Sequence, residues 1–212
     1  LQVAQSMPYC LTADEEPAVS GVGNYVLPVK ASTGEQTQLT LYCIDSNTYC
    51  TIEGVKGYDY IKRDQVDWYV RRSSEFTKAN GGKPVPALAF FHIPLPEYHQ
   101  AASDETAQFY GIRREKACAP ALNSGLFTAM KEQGDIMGIF VGHDHDDDYA
   151  VCWYDVLLAY GRYTGGNTVY NHLPNGARVI ELTEGQRQFK SWIRTATGVE
   201  QPIIYPDSFH RD

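Results

Sequence analysis

Residues 142–148 read Gly142, His143, Asp144, His145, Asp146, Asp147, Asp148, placing two imidazoles and four carboxylates directly after the apolar run Ile136–Val141. A strand that breaks at a glycine into such a turn has the donor set of a metal site. Two histidines one residue apart at that break aim their ring nitrogens at neighbouring positions, an arrangement that suits two adjacent metal ions. Aspartates alongside raise the local negative potential and can hold an imidazole in its ligating tautomer from a supporting position. The competing reading is an exposed acidic turn whose histidines face water. A calcium loop fails on spacing, because the alternating oxygen ligands with a central glycine and a terminal glutamate are absent.

A second candidate donor follows the apolar run Ala87–Phe91: His92, leading into Ile93, Pro94, Leu95 and Pro96. The prolines forbid continuation of a strand ladder and force an irregular path, which is where a site loop belongs. The bland alternative is a histidine satisfied by a backbone carbonyl at a strand end. Arg162 and Tyr163 lie in the loop 159–166, which ends in paired glycines, and a guanidinium there is a natural fork for phosphate oxygens. A surface salt bridge is the alternative for Arg162. His99, His172 and His210 have no comparable setting and are expected on the surface or in supporting positions. Cys118 has no base near it in sequence, so a thiol nucleophile is not expected.

The elements that must carry these groups are legible in outline. Asn24–Lys30 and Gln38–Ile44 alternate across a turn at 32–35 and read as a hairpin. Asp64 is a candidate N-cap for a helix to about Ala79, stopped by Asn80, Gly81 and Gly82. Val85–Phe91 reads as a strand. Residues 99–120 lack a period and read as a loop with short helical pieces, one of them Glu97–Ala102. Asn123 or Ser124 can cap a helix Gly125–Glu132 that ends at Gly134 and feeds the strand 136–141. Ala150–Tyr160 is apolar and mixed, Arg178–Leu182 and Gln188–Arg194 read as a second hairpin, and the last residues read as a tail. The pattern is α/β.

At 212 residues the chain is long enough for a sizeable core and within the range of one domain. A charged fraction of 21% with 43% hydrophobic residues describes an ordinary globular chain, rich in tyrosine at 15. The longest apolar runs are strand-length, so no membrane-spanning helix is expected. A net charge of −8 argues against a nucleic-acid backbone as partner. Five cysteines without a paired spacing exclude a zinc ribbon, and Cys43 with Cys50 is a conceivable disulfide only if the protein is exported. Leu1–Gln5 shows neither the basic start nor the apolar stretch of a signal peptide, and the compartment stays open.

Gly142–His145 resembles the last metal-binding block of the calcineurin-like metallophosphoesterases, Gly-His-any-His, and His92 resembles the lone strand-end histidine of the block before it. Residues 21–28, 123–127 and 159–166 look like the branch related to purple acid phosphatases, so the resemblance covers nearly the whole chain. It implies a four-layer αββα sandwich with two metal ions, Fe, Mn or Zn, at one edge. By the same resemblance His92 and His143 would bind one ion and His145 the other, with His143 and His145 serving catalysis, Arg162 and Tyr163 meeting the substrate, and the reaction being phosphoester hydrolysis of a phosphorylated small molecule or similar ester.

Three earlier blocks of that family, Asp-any-His, Gly-Asp and Gly-Asn-His, have no counterpart here. Gly134-Asp135 runs on to Ile136, Met137 and Gly138 without a second aspartate, and Gly23-Asn24 and Gly166-Asn167 are followed by Tyr25 and Thr168 and read as turns. The resemblance therefore implies that residues 1–212 are the C-terminal portion of one phosphoesterase domain, a partial sandwich incomplete for catalysis alone. Such a half would expose the inner face of a sheet and would need upstream polypeptide or self-association to cover it. The alternatives are a non-catalytic module binding a partner or one metal ion, and a mononuclear zinc hydrolase on three histidines.

Overall fold

The computed structural model describes residues 1–166, Tyr170 and residues 172–210. The reading of Gly166-Asn167 as a turn lies outside the described residues. In chain order the elements are α1 Gln2–Gln5, β1 Tyr25–Lys30, β2 Thr37–Cys43, α2 Arg63–Ala79, β3 Ala87–Phe90, α3 Pro96–Ala101, β4 Phe109–Tyr110, α4 Leu126–Gln133, β5 Ile136–Val141, β6 Ala150–Trp153, β7 Val156–Tyr160, β8 Gly176–Leu182, β9 Phe189–Thr195 and β10 Val199–Tyr205, followed by a 3-10 turn Asp207–Phe209. The chain forms two compact units, one of Leu1–His92 with Pro120–Ile136, the other of Ile93–Ala119 with Met137–Asp212.

In the first unit β1 and β2 form the expected antiparallel hairpin, and β3 adds to β2 in parallel, with Leu41 opposite Leu88. Helix α2 contributes Trp68 and Tyr69, both fully buried, to a cluster with Tyr42: the Tyr42 ring meets Trp68 edge-on at 6.3 Å and Tyr69 at 5.0 Å. Edge-to-face packing of this kind adds about 0.5–1.5 kcal/mol beyond area burial. The N-cap of α2 is Lys62, not Asp64. Gln65 reaches back to accept the Lys62 N–H at 2.8 Å, and the Asp64 carboxylate turns instead to the backbone N–H and hydroxyl of Ser20, each at 2.9 Å. Asp64 still favours the helix from its first turn, where the positive end of the dipole lies.

Helix α4 starts after Gly125, in left-handed conformation, and neither Asn123 nor Ser124 is its cap. Asn123 closes a local turn, accepting from Gly125 N at 2.9 Å. Gly134 ends the helix at φ +69°, as a C-terminal glycine does. Asp135, next in line, is buried and accepts from the hydroxyls of Tyr69 and Ser73, the latter at 2.7 Å, so it locks α2 to the end of α4. Asn24 is likewise a buried structural residue: its Oδ1 accepts from Gln65 Nε2 at 2.9 Å and from Asp45 N at 3.1 Å.

In the second unit the strands run in the order β5-β7-β6-β4, with β5 and β7 parallel and β6-β7 a hairpin. Every residue of β5 and β7 is buried, which is why both read as unbroken apolar runs. A separate antiparallel sheet has the order β10-β9-β8. The two sheets meet through Phe189 of β9, whose ring centroid is 6.0 Å from that of Phe140 on β5. The expected tail is strand β10. Its ladder with β9 breaks between Glu200 and Ile203, where Gln201 adopts φ +52°, and Pro202 within the same stretch hides the strand from its sequence. Strand β4 likewise leaves no mark in the sequence, because its two residues carry no period.

Candidate functional site

Strand β5 delivers the chain into residues 142–148 inside the second unit. His143 takes φ +79°, in the left-handed region that costs a non-glycine residue about 1–2 kcal/mol. Conformations of this kind persist where surroundings over-determine them, and here the surroundings are the four aspartates. All four are buried, with Asp148 fully so, and each is tied to a different neighbour.

The Asp144 carboxylate accepts from Cys118 N at 3.1 Å and from the Tyr160 hydroxyl at 2.6 Å. Asp147 Oδ1 accepts from the backbone N–H groups of Arg114, at 2.8 Å, and Glu115, at 3.2 Å. Asp146 accepts from His172 N at 2.6 Å and from His172 Nδ1, while Glu115 Oε1 accepts from Asp146 N at 3.0 Å. Asp148 accepts from Ile112 N at 2.7 Å, from Gln201 Nε2 at 2.9 Å and from Arg162 Nε at 2.9 Å. The acidic run is thus a set of staples fastening the histidine loop to residues 112–118, to the end of β7 and to β10. It is neither solvated nor a cation cage.

His145 is half-buried, and its Nδ1 lies 3.1 Å from the carbonyl oxygen of Tyr170. A carbonyl only accepts, so Nδ1 carries the proton, and Nε2 is the nitrogen with the lone pair in the neutral ring. That is the hydrogen bond by which a second group orients a ligating histidine. The ring stacks on Tyr170, centroids 4.7 Å apart, and lies 4.9 Å from Tyr163. The Tyr163 ring is thus a direct neighbour of His145. Tyr170 and the amide of Cys118 are the groups that sequence reasoning missed. They lie 25 and 26 residues from their partners, and a backbone group leaves no mark in residue type.

Arg162 has a different task from the one expected of it. Its side chain is fully buried, with Nε and Nη2 on Asp148, Nη2 also 2.9 Å from Glu200, and Nη1 2.7 Å from the carbonyl of Pro174. The guanidinium that was expected to reach a phosphate, or a surface partner, is enclosed in an internal network because Asp148 needs a counter-charge. Arg178 adds to the same corner, donating to the carbonyls of Tyr160 and Asp148, each at 2.6 Å.

His92 belongs to the first unit, exposed just beyond β3. His172 is on the surface with Asp146 as its partner, His99 faces Arg113 Nη2 at 3.1 Å, and His210 is exposed. Burial, and then Asp144 beside it, push the Cys118 thiol up to about 11, the opposite of what a nucleophilic cysteine needs. None of the five cysteines, Cys43 and Cys50 included, is in a disulfide. Among the described residues no group of three His, Cys, Asp or Glu side chains is arranged to hold a metal ion. The imidazoles suit a metal as donors, but the described residues do not complete a centre.

The fold is that of a dimetal phosphatase from Danio rerio, matched over 85% of this chain and 60% of that one with a TM-score of 0.52 at 11% identity. In sequence the chain is 36% identical to probable inactive purple acid phosphatase 29 of Arabidopsis thaliana, over 82% of the chain and 47% of that protein. It is 31% identical to probable inactive purple acid phosphatase 14 of the same plant, over 79% of the chain and 44% of the relative. It is 30% identical to phosphatase DCR2 of Saccharomyces cerevisiae, over 91% of the chain and 36% of that protein. No family model matches. The class is the calcineurin-like metallophosphoesterases, and within it the chain is a relative of the purple acid phosphatases. It spans about half the length, or less, of the curated relatives it matches.

Proposed function

We propose that this chain supplies the histidine side of a metal-dependent phosphoester hydrolase, with His143 and His145 as ligands on the loop after β5 and His92 as a further ligand. The observation that supports this most directly is the His145 Nδ1 bond to the Tyr170 carbonyl, which assigns the lone pair to Nε2. The staples from Asp144, Asp146, Asp147 and Asp148 hold the loop rigid, as a site requires whose donors must not reorganise on binding. Metal ions in such a centre supply Lewis-acid polarisation of phosphoryl oxygens and activation of water. This chain's contribution is to fix its imidazoles and to place the Tyr163 ring beside His145. The aspartate, histidine and asparagine ligands of the family's first three blocks come, in this reading, from polypeptide other than residues 1–212.

A second reading, a non-catalytic phosphoesterase-like module, is favoured by two observations: Arabidopsis relatives carry the word inactive in their names, and the described residues hold no complete donor group. Metal content and hydrolysis of an aryl phosphate, measured on the natural protein and on its His143→Ala/His145→Ala variant, separate the two. Close to two ions per chain, with both metal and turnover lost in the variant, supports the enzyme. Little metal and no turnover in the parent protein supports the module.

A further inference from the structure

A cleft of about 330 Å³ opens in the second unit between the loop after α3, the β6-β7 hairpin and the 3-10 turn. That volume lies at the small end of the range for small-molecule sites. Trp153, Tyr154 and Phe209 form an aromatic wall, and Gln108 is among the polar groups beside it. The wall is braced. Trp153 and Tyr154 pack edge-to-face with centroids 4.8 Å apart, and Phe209 packs edge-on at 5.2 Å against Tyr110, whose hydroxyl donates to the Ser208 carbonyl at 2.8 Å.

Tyr154 and Asp155 form the two-residue turn of the β6-β7 hairpin at φ +46° and +59°, a turn type normally made with asparagine and glycine. Left-handed backbone is costly for a tyrosine, and such conformations cluster where a ligand is held. Tyr205 pins the turn by donating its hydroxyl to the Asp155 carbonyl at 2.6 Å, and Tyr154 is left 67% exposed at the edge of the cleft.

Asp104 and Asp155 also line the cleft, and both take part in other interactions within the protein, so their charge is no basis for recognition. The Trp153 indole N–H and the Gln108 carboxamide differ from them. Both residues are half-buried, and neither group makes a hydrogen bond to a described residue. The cleft thus combines ring faces with neutral donors and an acceptor.

A pyranose has the matching build. Its axial C–H bonds form a flat apolar face that packs on the negative face of an aromatic ring, and its equatorial hydroxyls project from the edge, each able to donate and accept. An apolar ring molecule would leave the polar groups unmet. We propose that the cleft binds a neutral pyranoside of the β-glucoside type, stacked on the aromatic wall with its hydroxyls on the Gln108 carboxamide.

Titration of the isotope-labelled natural protein with methyl β-D-glucopyranoside, followed at the Trp153 indole N–H resonance, tests this. A saturable shift is expected there and not at the Trp68 and Trp192 indoles. Sorbitol carries the hydroxyls without a ring face and should not saturate. Gln108→Ala should weaken binding about threefold to tenfold, the effect of one hydrogen bond. Tyr154→Asn keeps a residue that tolerates the left-handed turn, so it should fold as the parent does and yet bind at least about fivefold more weakly for want of the ring. No saturable shift at Trp153, sorbitol saturating with equal affinity, or an affinity unchanged in both variants would overturn the proposal.

Discussion

Arg162 and Asp148 form an ion pair in which neither side chain is exposed. Its two partners lie 14 residues apart, one closing the acidic run and the other following β7, and Glu200 on β10 and the Pro174 carbonyl complete the arginine's bonds. The pair sets the end of the histidine loop against the second sheet, so the loop's shape depends on residues remote from it in sequence.

Removing one partner of such a pair strands the other's charge. Arg162→Met is expected to destabilise the chain by about 3–5 kcal/mol, and combining it with Asp148→Leu to restore part of that loss. Urea denaturation of the two variants and the parent measures both. A loss below about 1 kcal/mol for the single change would show that the charge finds water or another partner.

Burial raises the Asp135 carboxyl above its ordinary value, and the hydroxyls of Tyr69 and Ser73 pull it back only in part. A folded-state value above the unfolded one means that the folded chain holds this proton more tightly. The group's contribution is fully present below the usual aspartate range and is lost as pH rises through the raised value. Asp135→Asn should therefore gain on the parent protein as pH rises across that window, read as the difference in denaturation midpoint. A difference that stays constant or shrinks contradicts the assignment. Asp135→Ala, which strands two buried hydroxyls, should cost about 2–4 kcal/mol at any pH in the range.

Gly111 sits at φ +109°, and a Cβ there would lie 2.7 Å from the Tyr149 Cα and 3.0 Å from the Asp148 carbonyl oxygen. Backbone cannot yield as a flexible side chain does. Gly111→Ala is expected to lose about 2 kcal/mol or more and to disturb the bond from Ile112 N to Asp148. A thermal melt that coincides with the parent's would mean that the 111–112 backbone relaxes freely.

Tyr160→Phe removes the 2.6 Å bond to Asp144 and leaves that buried carboxylate with the Cys118 amide. The expected loss is about 1–3 kcal/mol. Amide hydrogen exchange across 142–146 should accelerate more than exchange in α2. Uniform acceleration would indicate global destabilisation without any specific hold on the loop.

Residue type and spacing alone determined the α/β class, the hairpin β1-β2, helix α2, the strands β3 and β5 that precede the histidines, and the histidine positions themselves. Each of these is a local property: a period of two, an amphipathic face, a glycine stop, an unbroken apolar run. The same sequence left open what the acidic residues and Arg162 do, because an aspartate beside a histidine reads alike whether it faces water, a metal or a backbone amide 26 positions away. Only the tertiary structure decided that Asp144, Asp146, Asp147 and Asp148 are staples, that Arg162 is their buried counter-charge, and that a carbonyl from Tyr170 sets the tautomer of His145. It likewise turned an apparent tail into β10, since a proline at a bulge erases the strand pattern while the partner strand supplies the ladder. Local patterns fix elements, because those energies arise within a few residues; partners of buried charges are chosen by whichever distant group the fold brings within hydrogen-bond reach.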